Sequence, residues 1–174
     1  MKKYKSFVLG VAVLMLSGCG GKGPQLPSRH LGSDAEPDSA TVALMEFNYQ
    51  MAQAADKELL KMALESEEPY AQYQGSAWAL IIDKGDENAG APKRNEKCVV
   101  HVRTYTLAGK LLTDEEKSWN IGHFELPLAI DANIIEWNHG AHVRILSPWY
   151  AAYGLKGTEN VPPYENVIFE VEIR

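Results

Sequence analysis

Only two of the 174 residues are cysteine. One, Cys19, belongs to an amino-terminal segment of leader type, which leaves Cys98 without a partner and excludes a disulfide framework even in an oxidising compartment. Long apolar runs are missing too: the stretch from Phe7 to Leu16 is too short to span a bilayer as a stable helix. Basic residues are outnumbered, 17 Lys and Arg against 23 Asp and Glu, for a formal charge of −6. With no basic cluster anywhere, a nucleic-acid partner is excluded. Histidines are few, and His101, His123, His139 and His142 show no zinc spacing, since Gly140 would break a helix between the last pair. No metal site is expected. Apart from one Gly, Pro and Ser-rich stretch there is no low-complexity tract, and there is no internal repeat.

The amino terminus has the layout of a secretory signal. Lys2, Lys3 and Lys5 precede the short apolar run. The run ends in Leu16-Ser17-Gly18-Cys19, which resembles the lipobox of bacterial lipoproteins. That resemblance implies removal of residues 1–18 and acylation of Cys19, with a lipid membrane as partner. Gly20 follows, not the aspartate that resembles an inner-membrane retention signal; this points to the outer membrane, on its periplasmic face. Loss of three lysines makes the remaining chain more acidic still. Residues 19–38 read as a flexible tether.

Residues 39–68 carry the first strong periodicity. Leu44, Phe47, Met51, Ala55, Leu59 and Met62 recur at steps of three and four, an apolar helical stripe over Ser39 to Glu65, with Pro69 beyond its end. Such a stripe has to be covered, either by the chain's own domain or by a second copy of the helix. Residues 69–174 read as a compact domain. Trp78, Leu80 and Ile82 alternate as in a strand, and the Gly- and Pro-containing segment from Asp83 to Lys97 is a connection. Cys98 to Leu107 is a longer strand, and Asp114, Glu115, Glu116 and Lys117 read as a solvated loop. Leu126, Ile130, Ile134 and Trp137, at steps of four, four and three, predict one internal helix stopped by Gly140. His142 to Ser147 is a further strand. In the final strand Val167, Phe169, Val171 and Ile173 share one face, with Ile168 the one apolar residue out of phase.

Pro148, Ala152-Tyr153-Gly154, Gly157, Val161-Pro162-Pro163 and Phe169-Glu170-Val171-Glu172 stand at spacings that resemble the carboxy-terminal signature of the FKBP-type peptidyl-prolyl cis/trans isomerases. Gly109 resembles the glycine of that family's turn, and Trp119-Asn120-Ile121-Gly122 its aromatic-x-aliphatic-Gly segment. The resemblance implies an α+β fold, a curved antiparallel sheet of five or six strands wrapping one short helix, here preceded by the long amino-terminal helix. It implies a prolyl-binding pocket between sheet and helix. By position in the motifs, the site residues it implies are Tyr153, whose hydroxyl in the family bonds the substrate carbonyl, with Phe169, Val161, Leu126 and Trp119. Ile130, Leu112, Asp114, Val102 and Tyr150 complete the pocket. Ile130 stands where the family has tryptophan, Leu112 and Thr113 where it has Phe-Asp, and Val102 where it has tyrosine.

Such a pocket needs neither cofactor nor nucleophile. Rotation about a peptide bond faces a barrier of about 18–20 kcal/mol from C–N resonance. A dry apolar cup that favours the twisted imide is sufficient. The function expected is therefore isomerisation of X-Pro bonds in cell-envelope proteins. Two other readings use the same features: a non-catalytic FKBP-like chaperone or assembly lipoprotein, similar to those associated with gliding-motility machinery, and a dimeric envelope scaffold built on the amino-terminal helix.

Overall fold

A computed structural model describes residues 38–174. The signal segment, Cys19 and the tether lie outside the described residues. Helix α1 occupies Ser39–Glu65. A short strand β1, Ala71–Gln72, leads through a 3₁₀ turn into β2, Trp78–Asp83. Two long strands follow, β3 at Lys97–Thr106 and β4 at Leu111–Asn120, then a single helical turn α2 at Leu128–Asp131. Strands β5, His142–Ser147, and β6, Val167–Ile173, complete one antiparallel sheet in the order β1-β2-β5-β6-β3-β4.

Alternation along the strands divides the sheet into two faces. From β3, Val100, Val102 and Thr104 turn inward; from β6, Val167, Phe169, Val171 and Ile173 do the same, and all seven are buried. They meet Ala129, Ile130, Ile134 and Trp137 from the segment after β4 in one core. The other face is polar along β3, β4 and β6. There His101 bonds Asp114 at 2.5 Å, Arg103 pairs with Glu172, and Arg144 pairs with Glu170 at 3.0 Å. Burial raises the Glu172 carboxyl, but its bonds and charges from Arg174, Arg103 and His101 outweigh this and hold it below the usual range.

Where that outer face turns apolar, α1 covers it. Leu59 and Ala63 pack with Leu146, and Met62, Tyr70, Trp78, Leu107 and Ile168 border them. Ile168 is thus in phase with this second, smaller core. Further along, α1 rests on the loop between β5 and β6. Tyr164 donates to Asn48 at 2.7 Å and lies edge-on to Phe47 at 5.7 Å, while Asn166 donates to Glu58 at 2.9 Å. Of the two coverings open to the stripe, its carboxy-terminal half has its own domain; Val42, Leu44, Met45, Phe47 and Tyr49 remain about half exposed or more.

Two expectations from the sequence need correction. The charged segment from Asp114 to Lys117 is a strand: β4 pairs with β3 from Lys97 opposite Asn120 to Thr104 opposite Thr113. It is an edge strand, and charge on an edge is how a sheet avoids pairing with another chain. Nor do Leu126 to Trp137 form one helix. Pro127 stands just before α2, which lasts one turn, and a separate 3₁₀ turn follows at Ile134–Glu136. The buried Asn133 amide takes over, donating to Ala129 O at 2.9 Å and exchanging bonds with the backbone of Gln74. Gly140 does not end a helix. It lies at φ 81° in the turn into β5, closely packed against Gly85.

Candidate functional site

The inward side of β4 extends past the core and forms one wall of a cavity of about 90 Å³. Register places Thr113 opposite Thr104, Glu115 opposite Val102 and Trp119 opposite Cys98. Trp119 donates its indole N–H to Val100 O at 3.3 Å, which fixes the ring, and the Lys117 ammonium lies 4.2 Å from the ring centre. That ammonium also pairs with Glu115 at 2.7 Å.

Leu126 and Pro127 make a second wall, brought there by a pinned loop. The buried Asp131 carboxylate accepts the N–H of Gly122 at 2.9 Å and of Phe124 at 3.3 Å. Phe124 has φ 56°, a left-handed conformation unusual for a residue with a side chain. Glu125, exposed beside it, accepts from the Asn120 N–H and side-chain amide at 2.9 and 2.6 Å, and these two donors hold its carboxyl below the usual range.

Tyr153 closes the third side. It follows the 3₁₀ turn at Trp149–Ala151, and its ring packs on Phe169 at 5.9 Å. Its hydroxyl is 3.0 Å from Thr104 Oγ1, which accepts from Thr113 Oγ1 at 2.9 Å. The loop that carries Val161 is fixed nearby: Gly157 has φ 63°, and a side chain there would come within 2.2 Å of Val161 O.

Of the residues singled out from the sequence, Tyr153, Trp119, Leu126 and Val102 line this cavity together. Phe169, Val161 and Ile130 are fully buried in the core beside it, and Leu112 packs half-buried at the core's edge. Asp114 is not with them. It sits on the outer face with His101, because the alternation of β4 turns Thr113 and Glu115 inward instead. Tyr150 is also elsewhere: its hydroxyl donates to Asp56 on α1. Sequence reasoning missed Thr104, Glu115, Glu125 and Pro127. For Thr104 a signal existed, a hydroxyl at an inward step of the Val100, Val102, Thr104 alternation.

Burial, and then the Asp56 carboxylate, push the Tyr150 phenol up to about 12. A phenol whose pKa is raised by folding stabilises the fold below its unfolded value of about 10, and that contribution fades as pH climbs from about 10 to 12. Alkaline unfolding followed between those limits is therefore expected to be less steep in Tyr150→Phe. An unchanged pH dependence would count against this tie between α1 and the domain.

A larger depression of about 380 Å³ lies on the opposite face, between Met62, Tyr70, Arg144 and Ile168. Its charged groups satisfy one another: Arg144 bonds Glu170 and, at 3.3 Å, Glu68. The small cavity around Tyr153 is the better candidate, since its walls are aromatic and aliphatic with a few polar groups converging on one volume.

No protein-family model matches the chain, and no curated protein matches it. Solved structures do. The crystal structure of FkpA from Escherichia coli superposes with a TM-score of 0.60 at 20% identity, over 78% of this chain and 63% of that one. A peptidyl-prolyl cis-trans isomerase from Pseudomonas syringae pv. tomato str. DC3000 gives a TM-score of 0.59 at 16% identity, over 79% of this chain and 96% of that one. The chain thus spans less than two thirds of FkpA, and the fold shared with both is FKBP-like α+β.

Proposed function

We propose that this chain, built on the fold of those isomerases, is itself a peptidyl-prolyl cis/trans isomerase. Its substrates are X-Pro segments of cell-envelope proteins, and acyl chains on Cys19 hold it to a membrane, the periplasmic face of the outer membrane. The observation that carries this reading is the meeting of Tyr153, Trp119, Leu126 and Val102, from four separate parts of the chain, around one small cavity.

The chemistry asked of it is modest. An X-Pro bond isomerises unaided in tens to hundreds of seconds. Each tenfold acceleration needs about 1.4 kcal/mol of preference for the twisted imide over the planar one. Apolar walls remove water from the imide, which disfavours the more polar planar amide. The Tyr153 hydroxyl is the group at hand to hold the carbonyl of the bound segment. No cofactor enters.

Residues 20–174 are expected to accelerate cis-to-trans isomerisation of a short X-Pro-Phe peptide, with Tyr153→Ala losing at least tenfold, the loss of one bond and the ring that bears it. A folded fragment that leaves the peptide at its spontaneous rate would sink the reading.

The exposed apolar side chains on the first half of α1 favour a second reading, in which that helix pairs with a second copy and the protein is a dimeric chaperone or scaffold. Sedimentation of residues 20–174 decides it. A dimer that reverts to monomer on deleting residues 39–65 supports this reading, and a monomer at high concentration removes it.

A further inference from the structure

We propose that Thr104 and Thr113 are positioning residues for Tyr153: three hydroxyls in line, Thr113 to Thr104 to Tyr153, orient the phenol so that its proton is free for the carbonyl of a bound X-Pro segment. The inference rests on the isomerase reading above and names how the cavity's polar group is held.

Thr104 is fully buried on the inward side of β3, where a hydroxyl is stable only with partners. It has two. Thr113 Oγ1–H donates to it at 2.9 Å, and the Tyr153 oxygen is 3.0 Å away. A hydroxyl owns a single proton. Thr104 accepts from Thr113, and between Thr104 and Tyr153 either oxygen can donate; in the order proposed Thr104 donates on to the phenolic oxygen, and the phenolic proton is left unspent. The reverse order would commit the Tyr153 proton to Thr104. The direction of the chain therefore decides which hydroxyl can donate to a ligand, and Thr113, by donating to Thr104, polarises it towards donating on to Tyr153.

Strand register makes the alignment possible. Thr104 stands opposite Thr113 on one side and opposite Phe169 on the other, and the Phe169 ring backs the Tyr153 ring. The three hydroxyls are neutral; of the carboxylates beside Thr113, Asp114 faces the other side of the sheet and bonds His101, while Glu115, inward with Thr113, pairs with Lys117 at 2.7 Å. Neutral hydroxyls in a low-dielectric interior polarise one another along the line, so the last proton becomes a better donor than an isolated phenol's.

The experiment compares kcat/KM for an X-Pro-Phe peptide in the wild-type protein and in Thr104→Val, Thr104→Ser, Tyr153→Phe and the Thr104→Val/Tyr153→Phe double variant, each checked for folding by circular dichroism. Thr104→Val is expected to lower kcat/KM by about five- to tenfold, as does Tyr153→Phe, the range for one lost hydrogen bond. The double variant should lose no more than either single one, because the hydroxyls act as a unit, and Thr104→Ser should restore most of the rate. Wild-type turnover in Thr104→Val beside an impaired Tyr153→Phe would overturn the proposal. If Thr104→Val does not fold, Thr113→Val, at a partly exposed position, replaces it with the same expectation and the same overturning result. If the wild-type protein turns over no peptide, the isomerase reading fails separately, and the dissociation constant of the same peptide becomes the readout. Thr104→Val weakening binding as Tyr153→Phe does would uphold the alignment, whereas undiminished binding, or no binding by any of the proteins, would overturn it.

Discussion

Replacing Phe169 with alanine is expected to lower the unfolding free energy by about 3–5 kcal/mol, the usual cost of emptying a fully buried aromatic site. Phe169 is completely buried on β6, between Thr104 of β3 and Ile145 of β5 by register, with the Tyr153 ring against it. Its neighbours come from a paired sheet and relax little into the void. Since small domains are stable by only about 5–15 kcal/mol, the variant should unfold at markedly lower denaturant. Phe169→Leu, which refills most of the volume, should recover more than half of the loss. Equilibrium denaturation of the three proteins is the check, and a loss under about 1 kcal/mol in the alanine variant would mean that Phe169 does not hold the core together.

Leu59→Ala is expected to cost about 2–5 kcal/mol, but in a different place. Leu59 is the fully buried centre of the small core beneath α1, shared with Ala63 and Leu146. Removing its side chain should release the helix while the sheet and the cavity on its other face persist. Hydrogen exchange should therefore show protection lost across residues 39–65 and kept in β3 and β6. The two cores lie on opposite faces and share no residue, so the costs of Phe169→Ala and Leu59→Ala should add within about 0.5 kcal/mol. Strong coupling between them, or exchange that spreads evenly over the whole chain, would show that α1 and the sheet melt as one unit.

Both experiments also bear on what α1 is for. Side-chain hydrogen bonds fasten it to the domain from Asn48 onward, through Tyr164 to Asn48, Tyr150 to Asp56 and Asn166 to Glu58. Its first half leaves Val42, Leu44 and Met45 uncovered. The helix is thus anchored to the domain from Asn48 onward and apolar and exposed ahead of it.

The order and nature of most elements were legible in the residues themselves. Alternation named β6 and β2, because a strand half-buried on one face repeats every two residues whatever it packs against, and the run of Val, Thr and Tyr named β3. The stripe from Leu44 to Met62 named α1 for the same reason at a period near 3.6. Spacing around Tyr153-Gly154 and Val161-Pro162-Pro163 pointed to the fold found in FkpA and the Pseudomonas isomerase. Other features depended on distant partners. Asp114 to Lys117 could be a strand only because β3 supplied bonds along its whole length, so a charge count suggested a loop. The phase of β4 then put Asp114 outside and Thr113 inside, and a shift of one residue would have reversed the two. Ile168 looked out of step until α1 covered the face it points to. The helix expected from Leu126 to Trp137 had the right period, yet it starts only after Pro127, and the Asn133 side chain, bonded to Ala129 O and to Gln74 far away in the chain, stands between two single turns. Local period is set by local chemistry and can be read in one dimension. Which face is covered, which edge is paired and which hydroxyl meets which are decided by contacts between residues remote in sequence, and only the folded chain brings those together.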